Sequence, residues 1–502
     1  MPSADHHHRR QTKPPARYLR RKGLIMGTYG YGAEQFKKGT DAKDGKRDRR
    51  TIGHVREPER QVPVLFDVDV LVVGGGPAGT AAAISAGRLG ARVLLVERYN
   101  HLGGLSTGGL VIWIDRMTDW EGNRVISGIG GEMMDRLPAD AILGPSAKEW
   151  GSREEAAVAR WRPRFSAFHD IVTCAPMVDP EALKQLSLDM VREAGVEILF
   201  HAWASAPIVG DDGLDGVIFE SKQGRFAAKA KVVIDTTGDG DIFAAAGERS
   251  ASDFEESSVH HCINTSWLFA GTDNERWLAF RASDAYDDFV AAGRAAVGQL
   301  EPPASAWRND VAVFMGPRWA GYDGLDVRDL TEVELRSRDK MVELLAWYRE
   351  HAPGFENAWI ALSAPQIGIR QTRRLVGLAQ MTRDDWRSGV VHADEVGISP
   401  SLAPKFDSVS VPFRSLLPQK TDRLIVAGRH LSADASSQTF MREIPQCWLT
   451  GHAAGAAAAL AVDGSIPVAA LSVVDIQRVL RDQGAVIRSN SKDRVGSSMI
   501  ST

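Results

Sequence analysis

Residues 68–98 constrain the fold most strongly, because an apolar run, a glycine turn, an alanine-rich segment and a second apolar run follow one another. Gly74, Gly76 and Gly79 have the GxGxxG spacing. The first glycine permits a tight turn, the second lets the backbone approach a pyrophosphate, and the third allows a helix to pack closely on a strand. A strand over residues 68–73 followed by a helix therefore predicts a βαβ unit that binds a dinucleotide.

The residues around this turn support the same interpretation. Pro77 and Ala78 begin the expected helix, whose first N–H groups would face the phosphates. Glu97 ends the second strand at the distance expected for binding ribose hydroxyls, and Arg98 follows it. The alternative is a glycine-rich turn without a ligand. A GxGxxG sequence inside a complete βαβ unit favours the dinucleotide site.

Three later segments indicate how long the dinucleotide is. Residues 101–111 are glycine-rich, and residues 231–241 and 422–434 are apolar runs that lead into glycine turns. A final helix begins near Pro445. Such distant segments predict one extended cofactor, with these additional contacts: Gly103, Gly104, Leu105, Ser106, Thr237, Gly238, Asp239, Gly428, Arg429, Gln446 and Cys447. Backbone N–H groups near the last two are expected to face the pyrimidine edge of a flavin.

The order of these motifs over residues 62–487 resembles the FAD-dependent oxidoreductases of the two-dinucleotide-binding-domain flavoprotein group. That group is distantly similar to the flavoprotein subunits of fumarate reductase and succinate dehydrogenase. The resemblance implies an α/β fold with a Rossmann-like FAD-binding domain in two parts, 61–250 and 408–485. It also implies an inserted α+β cap domain, 251–407, that supplies substrate contacts. His101 lies near the position of covalent flavin attachment in relatives, but noncovalent FAD is expected.

Composition excludes several other classes. A formal net charge of −4 gives no general reason to bind nucleic acid or a membrane surface. The three cysteines are far apart, so no metal site is expected. No apolar run approaches the ~20 residues of a membrane span, and a cytoplasmic location is predicted. Residues 1–60 are predicted to be a disordered extension or to dock on a neighbouring subunit of a homo-oligomer, and 486–502 a tail.

Arginines are the candidate substrate contacts. In GIRQTRR, a helix would place Arg370 on one face with Arg373 or Arg374. A guanidinium suits a carboxylate, either of a substrate or of a buried structural pair. We predict that Arg370 lines the site and that Arg374 is structural. Arg442 precedes the final helix and is expected to face the phosphates or the substrate, with a surface ion pair as the alternative.

Two histidines are the candidate acid–base groups. His260 and His261 precede an apolar run that is typical of a strand in the cap domain. Alternation would place them on opposite faces, so that one faces the flavin. Histidine titrates near neutrality and is suited to acid–base catalysis. A hydrogen-bonded interface histidine is the alternative.

These observations predict an enzyme that transfers hydride between a small organic substrate and flavin N5. The substrate is expected to carry a carboxylate if Arg370 contacts it, and the electron acceptor is unknown. Two alternatives stay open. One is a flavin-binding electron-transfer subunit or structural flavoprotein without its own substrate, and the other is a flavin monooxygenase.

Overall fold

The computed structural model describes residues 51–211, 213–252 and 262–488. The expectations for residues 1–50, for His260 and His261, and for residues 489–502 lie outside these ranges. The helices are α1 (Pro77–Arg88), α2 (Gly128–Arg136), α3 (Glu155–Trp161), α4 (Pro180–Glu193), α5 (Asp241–Ala245), α6 (Asn274–Arg281), α7 (Ala285–Val297), α8 (Val327–His351), α9 (Asp385–Ser388), α10 (Ala435–Met441), α11 (Ile444–Gly464) and α12 (Val473–Asp482).

The strands include many short pairs besides one large sheet. They are β1 (Val64–Val73), β2 (Val93–Val96), β3 (Ile142–Leu143), β4 (Ala167–Phe168), β5 (Ile171–Val172), β6 (Met177–Val178), β7 (Glu197–Leu199), β8 (Trp203–Gly210), β9 (Gly213–Ser221), β10 (Gly224–Asp235), β11 (Ser250–Ala251), β12 (Ile263–Asn264), β13 (Trp267–Ala270), β14 (Ala304–Ser305), β15 (Val311–Phe314), β16 (Trp359–Ser363), β17 (Gly368–Ile369), β18 (Arg374–Leu375), β19 (Glu395–Ser399), β20 (Val409–Pro412) and β21 (Leu424–Val426).

The large sheet has the strand order β7-β2-β1-β10-β9-β8, and β21 also pairs with β10. The pairings among β7, β2, β1, β10 and β21 are parallel, whereas β10-β9 and β9-β8 are antiparallel. Buried apolar side chains fill β1 from Val70 to Val73, as expected of a parallel strand covered on both faces. The expected strand over 68–73 exists and begins earlier, at Val64.

Helices α1 and α11 pack against each other at short range. A Cβ atom on Gly451 would lie 2.0 Å from the carbonyl oxygen of Ala78, and one on Gly455 would lie 2.2 Å from that of Ala82. Only glycine fits at such separations, so these residues let two backbones approach closely. The packing joins the first βαβ unit to the C-terminal helix, which begins with proline in its first turn as expected.

A second sheet has the order β14-β15-β13-β16 with antiparallel pairings. Helices α6, α7 and α8 contribute buried residues to the same apolar cluster. Trp267 stacks on Phe314 with ring centroids 4.2 Å apart, and Trp277 is fully buried. This tryptophan-rich core is separate from the clusters on the large sheet. The fold is therefore α/β, with a Rossmann-like sheet and an inserted α+β portion.

The expectation of a helix in GIRQTRR, residues 368–374, is wrong. Residues of this segment form β17, which pairs with β12, and β18, which pairs with β11. A Cβ atom on Gly368 would lie 2.9 Å from the side-chain oxygen of Asn264, so the glycine lets the two strands approach. Strand pairing thus overrides the helical spacing of the arginines.

Other local structure follows from a few adjacent residues. The side chain of Asp179 accepts hydrogen bonds from the N–H groups of Glu181 and Ala182 and caps helix α4. Gly195 follows that helix with φ +73°, a left-handed conformation that favours glycine. Strands β9 and β10 form an antiparallel hairpin. Within the residues described, no helix is both long and apolar enough to cross a membrane.

Candidate functional site

A cleft lies where β1, β10 and β21 end, at the carboxyl edge of the parallel strands. Its empty volume, which includes space open to solvent, is about 830 Å³. Ligands of doubly wound sheets bind at this edge. The sequence-predicted cofactor residues that line it are Gly74, Gly76, Pro77, Ala78, Glu97, Arg98, Gly104, Leu105, Thr237, Gly238, Gly428, Arg429 and Cys447. The other predicted contacts, Gly79, Gly103, Ser106, Asp239 and Gln446, are not in its lining.

The three glycines of the motif differ in what surrounds them. Gly74 has φ +104°, and a Cβ atom there would lie 2.6 Å from the carbonyl oxygen of Thr236. At Gly79 a Cβ atom would lie 1.8 Å from the carbonyl oxygen of Gly74. At Gly76 it would meet no atom within 4 Å, although this residue lines the cleft. The first and third glycines are thus required by the protein itself, whereas the second leaves space for a ligand.

Glu97 is held rigidly beside this turn. Its Oε2 accepts a hydrogen bond of 2.6 Å from the Gly75 N–H, and its Oε1 accepts one of 2.9 Å from the Tyr99 N–H. These bonds fix a carboxylate that is 7% exposed at the cleft. The Arg98 guanidinium lies 4.7 Å from the ring centroid of Trp203, which also lines the cleft. This end has the acid, cation and aromatic ring suited to an adenosine.

The turn at residues 103–106 supports the glycine motif from the other side. Gly103 has φ +89° and its N–H donates to the carbonyl oxygen of Gly75 over 2.8 Å. The hydroxyl of Ser106 donates to the carbonyl oxygen of Gly103. A Cβ atom on Gly104 would lie 2.9 Å from Cα of Gly76. Gly103 and Ser106 therefore shape the turn, while Gly104 and Leu105 reach the cleft.

Asp239 and Arg429 form a buried ion pair at the cleft. Nη2 of Arg429 lies 2.7 Å from Oδ1 of Asp239, which also accepts a hydrogen bond from the hydroxyl of Thr372. Burial alone would raise the pKa of Asp239, but the charge and hydrogen bonds of Arg429 and Thr372 lower it below its usual value. Asp239 thus positions Arg429, which itself lines the cleft.

The start of α11 forms the far end of the cleft. Ile444 and Cys447 line it, whereas the Gln446 amide donates to the Ser399 hydroxyl over 3.0 Å. The backbone N–H of Cys447 donates to the carbonyl oxygen of Glu443, so it is not free to face a flavin. The N–H groups of Ile444 and Gln446 precede the first intrahelical donor, the N–H of Cys447, and lie at the positive end of the helix dipole.

A second cavity adjoins the cleft, because Leu105 and Arg442 line both; its empty volume, which includes space open to solvent, is about 750 Å³. Its other walls combine charged and apolar side chains. They are Val111, Trp113, Phe165, Asn264, Met315, Arg318, Gly368, Ile369, Arg370 and Glu443. The structure therefore brings Arg370 and Arg442, both predicted from the sequence, to one cavity. Arg318 and Glu443 were missed, and no motif in the sequence marks either.

The second cavity is electropositive. Burial and the nearby guanidiniums of Arg318 and Arg442 lower the pKa of Arg370 to about 9, at which it is still protonated at neutral pH. Arg442 lies 3.1 Å from Glu443, and Arg318 lies 3.4 Å from Glu301. Among the described lining residues, three guanidiniums therefore face one carboxyl group.

The two other arginines of GIRQTRR lie elsewhere. Arg373 Nη2 lies 3.0 Å from Oδ1 of Asp241, which lines the first cleft. Nε of Arg374 donates to the carbonyl oxygen of Ala433, and this side chain is 1% exposed. His101 is buried, and burial lowers its pKa to about 4. The candidates His260 and His261 are outside the described ranges.

The cleft fits a long anionic cofactor. Its walls reach from Glu97, through the open space at Gly76, to the start of α11. Nε of Arg429 is buried at the cleft and has no hydrogen-bond partner among the residues described. A pyrophosphate beside the first turn of α1 would satisfy such a donor.

Comparison with known proteins agrees with this geometry. The family model for FAD dependent oxidoreductases matches residues 69–480, most of the chain. The protein belongs to this family, and FAD is its cofactor.

Individual relatives match over shorter stretches. A fumarate reductase (cytochrome) of Shewanella frigidimarina is 41% identical over 85 residues, 15% of each chain. A dihydrolipoyl dehydrogenase of Manduca sexta is 46% identical over 52 residues, 10% of each chain. The chain thus matches only a small part of the length of these relatives.

Two solved structures are similar over most of the chain. A geranylgeranyl bacteriochlorophyll reductase-like protein from Thermoplasma acidophilum is 14% identical, with a TM-score of 0.42 over 83% of this chain and 82% of that one. The p-nitrophenol 4-monooxygenase from Pseudomonas putida is 12% identical, with a TM-score of 0.43 over 84% and 85%. Similarity at this level does not define a reaction.

Proposed function

We propose that the protein transfers hydride between a small anionic organic substrate and N5 of FAD. The observation that supports this most is the shared wall of the two cavities, since Leu105 and Arg442 line both. A substrate in the second cavity would therefore meet the end of the cofactor that lies near α11. Bound FAD supplies the two-electron redox chemistry, and the protein supplies binding, orientation and exclusion of water.

The walls of the second cavity suggest the substrate class. Arg318, Arg370 and Arg442 offer charge-assisted hydrogen bonds to a carboxylate. Trp113 and Phe165 lie on the apolar side of the same cavity. Indole Nε1 of Trp113 donates to the carbonyl oxygen of Phe165, which fixes the orientation of this wall. A carboxylate with an apolar or planar body fits this combination of groups.

The start of α11 has a separate role in this proposal. The positive end of its dipole would stabilise negative charge on the pyrimidine edge of the flavin. Arg442, which precedes the helix and is 14% exposed, would add positive charge between flavin and substrate. We therefore assign Arg370 and Arg442 to substrate binding, with Arg429 and the α1 N-terminus assigned to the phosphates.

Anaerobic reduction of the FAD-loaded enzyme tests the proposal. A panel of 2-hydroxy, 2-amino and aromatic carboxylates is mixed with oxidised enzyme, and bleaching of flavin absorbance is recorded. Fumarate is added to chemically reduced enzyme, because one relative is named for it. The expected result is rapid bleaching or reoxidation by at least one anionic compound, and slower reaction with its methyl ester.

The alternatives give different results in the same experiment. An electron-transfer or structural flavoprotein would react with none of the compounds. A monooxygenase would show oxygen insertion into the product when reduced enzyme is mixed with substrate and oxygen. Reoxidation with oxygen, quinones and one-electron dyes then identifies the class of acceptor. A cytoplasmic location and a homo-oligomer belong to the same proposal, and fractionation and light scattering test them.

A further inference from the structure

Glu443 lies at the junction of the two cavities. It lines the second cavity, the preceding Arg442 lines both, and the following Ile444 lines the FAD cleft. Its backbone is the N-cap of α11, and its side chain makes no capping hydrogen bond to that helix. The carboxyl group is therefore not occupied by the local role that acids commonly play at a helix start.

The cavity offers few groups that exchange protons near neutrality. Among its described lining residues, the ionisable ones are the three arginines and Glu443. Guanidiniums donate hydrogen bonds but do not release a proton in this range. Glu443 is therefore the carboxyl group that borders the space where a substrate would lie.

The surroundings of Glu443 are mixed in charge. Its Oε1 lies 3.1 Å from Nη2 of Arg442, and the side chain is 9% exposed. Burial raises the pKa of Glu443, Arg442 lowers it, and the charge of Asp115 raises it. The remaining charged or titratable neighbours act over longer range: Arg370 and Arg318 lower the same pKa, and Cys447 lies one turn along α11.

The net shift of the Glu443 pKa follows from these opposing effects. The pKa of Glu443 is raised above its usual value, and that of buried Asp115 is also raised. Two buried carboxyl groups that disfavour each other's charge keep a proton more readily than either would alone. An acid–base group needs a pKa closer to the working pH than an ordinary glutamate has.

We propose that Glu443 is the acid–base group of the hydride-transfer reaction, a role that rests on the proposed function. Oxidation of an alcohol or amine would break the C–H bond, and its electron pair would leave with the hydrogen as hydride, for which bound FAD would be the acceptor. The O–H or N–H bond breaks, its proton goes to the Glu443 carboxylate, and a C=O or C=N bond forms. In the reverse direction Glu443 returns the proton.

The first experiment needs no substrate. FAD-loaded enzyme is photoreduced anaerobically in weakly buffered solution containing a pH indicator, and protons taken up per FAD are counted from pH 5 to 9. Added negative charge on the neighbouring cofactor raises the pKa of Glu443, so wild type takes up more protons than Glu443→Gln. Glu395→Gln is the control, because Glu395 is also buried and paired with an arginine, Arg488, yet lines neither cavity.

The second experiment uses the compound that reduces wild-type FAD fastest in the panel. Glu443→Gln is expected to keep its FAD and to lower the reduction rate by roughly 10²–10⁴-fold, the range for loss of a general acid or base. The rate should also lose its dependence on the ionisation of this group. Glu443→Asp should recover part of the rate with a displaced pH profile, whereas a purely structural glutamate would not give that displacement.

The outcomes separate the two proposals. If wild type is reduced by the panel compound but Glu443→Gln has the same proton uptake and pH profile, the assignment of Glu443 is overturned and the proposed function stands. If Glu443→Gln does not retain FAD, proton uptake and the pH profile of flavin reduction are measured on Glu443→Asp instead, and values equal to those of wild type overturn the assignment. If no compound reduces wild-type FAD, the proposed function fails, and the catalytic role of Glu443 fails with it.

Discussion

Nη2 of Arg429 lies 2.7 Å from Oδ1 of Asp239, although the two residues are 190 positions apart in the chain. Asp239 follows β10 and Arg429 follows β21, and these strands pair in parallel. The ion pair therefore holds together two of the loops that follow the central strands at the FAD cleft. Its side chains are 7% and 13% exposed, so loss of either partner leaves a largely buried charge.

Replacement of Arg429 by alanine is expected to reduce both stability and FAD retention. Removal of one partner of a buried pair costs about 3–5 kcal/mol, because the remaining charge is desolvated and unpaired. Urea denaturation of the apoprotein measures the first effect, and FAD released per chain measures the second. Arg423→Ala is the control, since its pair with Asp215 is more exposed and should contribute about 1 kcal/mol or less. Equal losses in both variants would contradict the role given to Arg429.

Substitution at Gly76 should separate cofactor binding from folding. A Cβ atom there meets nothing within 4 Å and points to open space at the cleft, so Gly76→Val is expected to fold. The added side chain would fill the space assigned to the pyrophosphate, and FAD content should fall to near zero. Thermal unfolding and absorbance at 450 nm after desalting measure the two properties.

Gly79→Ala is the matched comparison for Gly76. Its Cβ atom would lie 1.8 Å from the carbonyl oxygen of Gly74, so the strand–turn–helix unit itself must distort. We expect this smaller substitution to destabilise the apoprotein, unlike Gly76→Val. Normal FAD content in Gly76→Val would place the pyrophosphate elsewhere.

The sequence predicted those parts of the structure whose cause is local. The turn at Gly74 and the proline at the start of α11 each follow from the preferences of a few adjacent residues. The extended cofactor could also be predicted, because several apolar runs end in glycine turns and parallel strands bring such turns to one edge.

Features that depend on tertiary pairing could not be predicted. The helical spacing of Arg370 and Arg373 was misleading, because this segment forms short strands: Arg370 lines the second cavity, whereas Arg373 pairs with Asp241. Arg318 and Glu443 belong to no motif, and only the fold brings residues 318, 370 and 443 to one cavity. A sequence shows that an arginine is present but not which distant charge it meets.

Arg370→Ala is expected to weaken anion binding without loss of FAD. Benzoate is a suitable probe, since its carboxylate and ring match the two sides of the second cavity, and its binding is followed by perturbation of flavin absorbance. Loss of a charge-assisted hydrogen bond costs about 1.5–3 kcal/mol, which makes the dissociation constant roughly ten- to hundredfold larger. Arg318→Ala should behave similarly.

Arg308→Ala provides the control for these two variants. Arg308 pairs with Asp310 on the surface, is 58% exposed and lines neither cavity. The dissociation constant of the Arg308→Ala variant for benzoate should equal that of wild type. If Arg370→Ala and Arg308→Ala bind benzoate equally well, the anion does not occupy the second cavity.

The final prediction concerns acid stability and His452. This histidine on α11 is 3% exposed, and its Nε2–H donates to Oε1 of Gln483 over 2.8 Å. Gln483 in turn donates to the carbonyl oxygen of Ser85 on α1. Burial lowers the pKa of His452 to about 4, from its usual value of 6.5.

The sign of the pH effect follows from the lowered pKa. Between pH 6.5 and 4 the unfolded chain binds a proton at this histidine and the folded protein does not, so stability falls as the pH falls. The loss is complete below pH 4 and amounts to roughly 3 kcal/mol at 1.36 kcal/mol per pKa unit. Urea denaturation of the apoprotein at several pH values should show that the free energy of unfolding falls less between pH 6.5 and 4 in His452→Gln than in wild type. His351→Gln, a change at an exposed histidine on α8, should follow wild type, and identical slopes in all three proteins would contradict the prediction.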